Sequence, residues 1–189
     1  MMKKSSPKKI RVPAPNVNLK LETIKRIVIF SIAALILGTA QCSFFSTLNI
    51  CPRTPDLIMG LILAAALCDS PKTAMALSVG AGFFIDAIGG GAFSLSPIIY
   101  FGYAVIISLI SQKMLKSFPA FLLLLLPSLL YRAAATTALA ALNRTMSLSG
   151  GFLITLALEA LCTFLLCLPI YPIINLAAKP LRSHKKFTF

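Results

Sequence analysis

Apolar runs recur along almost the whole chain, and that recurrence limits what it can fold into more than any motif does. Ile27–Leu48 alone is long enough to cross about 30 Å of hydrocarbon, which takes roughly twenty apolar residues. Leu57–Cys68, Thr73–Ile88, Ile98–Ser111, Ala120–Leu142 and Phe152–Ala178 continue the series, the second and third being short. No stretch between them has room for a soluble domain, and only 12% of the 189 residues are charged, about half the share of a soluble domain. The pattern predicts an all-α, polytopic membrane protein of about six transmembrane helices. It divides into a flexible basic leader (1–26), a transmembrane domain (27–178) and a basic tail (179–189).

The charge balance of +13 raises the question of nucleic acid, but the positions of the charges argue against it. Eight basic residues precede the first run and four close the chain, at Lys179, Arg182, Lys185 and Lys186. With six crossings and both termini cytoplasmic, fifteen basic residues fall inside and only Arg53 and Arg144 outside, leaving Arg132 within a helix. Lys and Arg are held on the cytoplasmic side during insertion, so this asymmetry orients the chain. The basic ends also suit anionic lipid. No nucleic acid partner is expected.

Helix starts are marked by hydroxyl–proline pairs. Thr54-Pro55, Ser70-Pro71 and Ser96-Pro97 each place an N-cap hydroxyl before a proline whose missing N–H costs nothing at the first helical position; Pro119 marks a fifth start. The first run is read as a retained span, because a long charged leader precedes it and Gln41 stands where a lipoprotein signal needs a small residue. The five cysteines, Cys42, Cys51, Cys68, Cys162 and Cys167, form neither a zinc nor a disulfide pattern and read as small packing residues.

The stretch "GFFIDAIGGGAFSLSP" (82–97) sets Asp86 before three glycines. No lysine is present to make this a phosphate loop; the glycines supply a tight turn. Ala74, Ser78, Gly82, Asp86 and Gly90 recur every four residues and share one helix face. Such a smooth stripe lets another backbone approach closely. Asp86 is compatible with a local bond to backbone or to Ser94 or Ser96, with a docking point for another protein, or with an ion or proton site. Arg132 and Glu159 lie inside the fifth and sixth runs, joined by the short link 143–151. They are candidates for an intramembrane ion pair, the alternative being that each faces water separately. On pairing, Glu159→Ala alone should be more harmful than replacing both.

The segment from Pro55-Asp56-Leu57 through Gly80, Gly82-Phe83, Asp86 and Gly102-Tyr103 resembles the bacterial rod-shape-determining MreD family over roughly sixty residues. The turn Phe93-Ser94-Leu95 departs from the family by lacking its central glycine, and the basic leader is longer. The resemblance implies a fold similar to the six-helix substrate-binding component of vitamin (ECF-type) transporters. It further implies a non-enzymatic subunit of the cell-elongation machinery in the bacterial cytoplasmic membrane, helping to position side-wall peptidoglycan synthesis. Its implied partners are MreC, MreB, RodA and a penicillin-binding transpeptidase, and no cofactor. Pro55, Asp56, Ser78, Gly82, Asp86 and Gly90 are then the candidate partner-contact or structural residues.

Catalytic constellations are missing from the sequence. No paired histidines, Ser/His/Asp set or metal spacing occurs, and the one histidine, His184, lies in the tail. A solute-binding transporter subunit of the same architecture is the alternative, opposed by short outer links and the lack of tryptophan.

Overall fold

A computed structural model describes residues 17–48, 54–89, 95–114, 117–142 and 150–182. Its regular elements are all helices: α1 (Val17–Thr39), a π-helical turn (Ala40–Phe44), α2 (Phe45–Leu48), α3 (Leu57–Cys68), α4 (Pro71–Gly89), α5 (Ser96–Ser111), α6 (Phe118–Leu142), α7 (Gly150–Cys167) and α8 (Ile170–Arg182). Among the described residues, four helical stretches are long and apolar enough to cross a membrane: Ile24–Phe44, Pro71–Gly89, Phe118–Ala141 and Gly151–Ala177. Leu57–Cys68 and Ser96–Ser111 are apolar but shorter. The protein is therefore an all-α membrane protein.

The shortest of these is the centre of the fold. Every residue of α3 is buried, and α1, α4, α5, α6, α7 and α8 all pack on it. Its sequence explains this, since LIMGLILAAALC is apolar on all sides and a helix of that kind must be surrounded. At twelve residues it is about 18 Å long, well short of the hydrocarbon thickness. Its short length is tolerated because protein, not lipid, covers its ends. Gly60 lets the α7–α8 break press against it: a Cβ there would run into Cys167 Sγ and Ile170.

Two contacts fix the direction of α3 against α1. Gln41 meets the start of α3 at Leu57, and Arg26 meets its end at Asp69, 2.6 Å apart. Phe118, opening α6, lies beside Tyr171 in the first turn of α8, with ring centroids 5.9 Å apart. The starts of α1, α4 and α6 and the ends of α3 and α5 share one end of the bundle, and the first turn of α8 lies beside the start of α6.

Several boundaries differ from the sequence reading. α1 begins at Val17, ten residues before the apolar run, so helix enters the region expected to be a flexible leader; residues 1–16 lie outside the described set. The last run is broken at Leu168-Pro169 into α7 and α8. The capping atoms also differ. Ser70 Oγ does accept from Thr73 N–H at 3.3 Å, but α3 is capped by Asp56 and not by Thr54, with Oδ1 accepting from Met59 N–H at 3.2 Å. α5 starts at Ser96 itself, and Ser96 N–H donates to Asp86 Oδ2 at 3.3 Å. Cys162 is disulfide-bonded, unlike the packing cysteines Cys68 and Cys167, which corrects the reading of all five as packing residues.

Candidate functional site

The polar residues of the interior converge on the first turn of α3. An isolated carboxylate at membrane depth is costly, and Asp56, with no exposed surface, is surrounded by donors. Tyr100 Oη from α5 donates to both carboxylate oxygens at 3.0 Å. Arg132 Nη1 from α6 lies 3.1 Å from Oδ2. Because Asp56 also caps α3, the partial positive charge of that helix N-terminus adds to its stabilisation.

Arg132 then reaches a second acid. Its Nε donates to Glu159 Oε1 on α7 at 3.3 Å, so one guanidinium joins α3, α6 and α7. Arginine suits this role because its donors are held in a planar fork, whereas a lysine is a single point charge. Thr163, one turn beyond Glu159 on α7, accepts from the Asp56 backbone N–H at 3.2 Å. Cys167 Sγ donates to the Asp56 carbonyl.

The π-helical turn between α1 and α2 supplies the remaining acceptor. Gln41 is buried there, and its Oε1 accepts from Leu57 N–H at 3.0 Å and from Ile58 N–H at 3.4 Å. These amides belong to the first turn of α3, where no intrahelical acceptor exists. In lipid an unsatisfied amide is expensive. The local widening of α1 thus occurs where a side chain is needed to close the α3 terminus.

Above this cluster lies a cavity of about 420 Å³, bordered by Gln41, Thr54, Ile85, Ser96, Tyr100 and Arg132. Among the described residues no three His, Cys, Asp or Glu side chains come together as a metal-binding group.

The structure sorts the candidates from the sequence into two groups. Arg132, Glu159 and Asp56 meet, with Pro55 buried alongside. The small-residue stripe of α4 is elsewhere and faces inward. Ser78 is fully buried and donates to the Met75 carbonyl at 2.7 Å. A Cβ at Gly82 would collide with the Pro97 backbone. α5 therefore occupies the surface that the sequence offered to another chain, and Asp86 is spent on the α5 terminus. Gly90 lies outside the described residues.

Sequence reasoning missed Tyr100, Gln41 and Thr163, and the link from Asp56 to Arg132. Signals for two of them existed: Thr163 is one helical turn from Glu159, and Gln41 is a lone amide in an apolar run. Compared with protein-family models, curated proteins and solved structures, the chain matches none.

Proposed function

We propose that this chain is a non-enzymatic subunit of the bacterial cell-elongation machinery, as its resemblance to the MreD family implies, crossing the cytoplasmic membrane six times with both termini inside. The observation carrying this reading is that the interior charges are used to join helices. Arg132 ties together three of them, Asp86 caps α5, and Asp69 pairs with Arg26. Such bracing suits a rigid platform that holds partners in place. MreC, MreB, RodA and a penicillin-binding transpeptidase are the partners proposed, helping to position side-wall peptidoglycan synthesis.

The orientation has two supports. Lys25, Arg26, Lys72 and Lys113 lie towards one end of the bundle, as the positive-inside bias requires of a cytoplasmic face. Cys162 is disulfide-bonded and lies on α7 near Glu159, away from that end; disulfides persist on the oxidising side of a membrane.

A second reading, a solute-binding subunit of a vitamin or micronutrient transporter, is favoured by the 420 Å³ cavity beside Arg132 and Tyr100. Depletion followed by microscopy separates the two. Rounded cells with delocalised wall synthesis are expected for the scaffold. Normal shape with a vitamin-uptake defect would overturn it.

A further inference from the structure

A second depression lies on the outside of the bundle, between α1 and α4, with a volume of about 550 Å³. Its floor is apolar, including the buried Phe30, Ala34 and Ala81. Ile27 and Leu35 form exposed edges, and Gly80 has nothing within 4 Å of where a Cβ would be. The groove is closed at one end, where Gly38 abuts the Phe84 ring. At the other end lie Lys72, Thr73 and Asp69.

We propose that this groove binds one anionic glycerophospholipid of the cytoplasmic leaflet, its acyl chain along α4 and its phosphate at Lys72. Length supports a lipid over a partner's transmembrane helix. From Lys72 to Phe84 the lining of α4 runs twelve residues, about 18 Å, close to half of a 30 Å hydrocarbon core. A spanning helix needs a track through both leaflets, and Phe84 against Gly38 ends this one. Charge supports an anionic headgroup. Asp69 is already held by Arg26 at 2.6 Å and by the Thr73 hydroxyl at 2.6 Å. Lys72 is exposed and has no ion-pair partner among the described residues. Ala76 and Gly80, one turn apart, leave space for the chain. The site requires only that the protein be in a membrane with this end cytoplasmic, and holds for either function above.

The sequence contains no tryptophan, so Leu35→Trp gives a single fluorophore at the edge of the groove. The full chain carrying it is placed in vesicles of phosphatidylcholine containing phosphatidylglycerol, with one or the other lipid brominated on its acyl chain. Leu130→Trp, on an exposed position of α6, reports on bulk lipid. At Leu35→Trp, brominated phosphatidylglycerol is expected to quench as though enriched about five-fold, the ratio equivalent to about 1 kcal/mol from one basic residue near the surface. Lys72→Gln should remove that preference, and Gly80→Leu should reduce quenching by either lipid at Leu35→Trp alone. Equal preference at both reporters would overturn the site, as would persistence in Lys72→Gln. So would a partner's transmembrane helix crosslinking to the groove in cells while the vesicles show no preference.

Discussion

Arg132 is the residue on which the interior balance depends, because among the described residues it is the cation that meets both Asp56 and Glu159. Removing it takes the guanidinium away from two buried carboxylates, a change of the kind that costs about 3–5 kcal/mol. Glu159→Ala leaves Arg132 matched by Asp56, so its effect should be milder. Replacing Arg132 and Glu159 together still strands Asp56. The predicted order of damage is therefore Arg132→Ala, then the double variant, then Glu159→Ala, read from thermal unfolding of the full chain in detergent. This reverses the order expected from an isolated Arg132–Glu159 pair, and that earlier order would contradict the three-residue arrangement. Tyr100→Phe tests the other side of Asp56. Losing a hydrogen bond to a charged group should lower stability by about 1.5–3 kcal/mol, measured the same way.

At the scale of elements, two glycines two residues apart, on nearly opposite faces of α4, should behave oppositely. Gly82→Ala sets a methyl against the Pro97 backbone, which cannot move aside without separating α4 from α5. Gly80→Ala meets open space and gains helix propensity of about 1 kcal/mol. Folded yield should fall for the first and hold or rise for the second; equal effects would contradict the packing. Gln41→Leu should cost about 1–3 kcal/mol by leaving α3 amides without an acceptor. Much of this architecture was legible from the chain. Hydroxyl–proline pairs located the start of α4 and, within two residues, those of α3 and α5, and the short link from α6 to α7 brought Arg132 and Glu159 into reach. The capping atom of α3 was not legible, because it comes from Asp56, outside the hydroxyl–proline pair; the bond from Asp86 to the Ser96 backbone was among the readings the sequence allowed. Neither was the burial of α3: an apolar helix reads alike whether lipid or protein surrounds it, and its short length was the only sign. The link from Asp56 to Arg132 was not legible either, because nothing local connects Asp56 to α6.

For the whole molecule, alternating helices around α3 return the chain to the end from which it started. That end carries Arg26, Lys72 and Lys113, whereas the Asp56–Arg132–Glu159 cluster sits deeper. Arg132 is ten residues before the end of α6 at Leu142, about 15 Å along the helix. The fold thus separates a basic face from a braced interior that keeps the helices in fixed relation. The scaffold proposal and the lipid site both require that face to be cytoplasmic. The most direct test fuses a cytoplasm-active fluorescent reporter and a periplasm-active phosphatase, in turn, to each terminus and to the 143–149 link. A cytoplasmic basic face predicts fluorescence at both termini and phosphatase activity at the link. Termini on opposite sides of the membrane would contradict it.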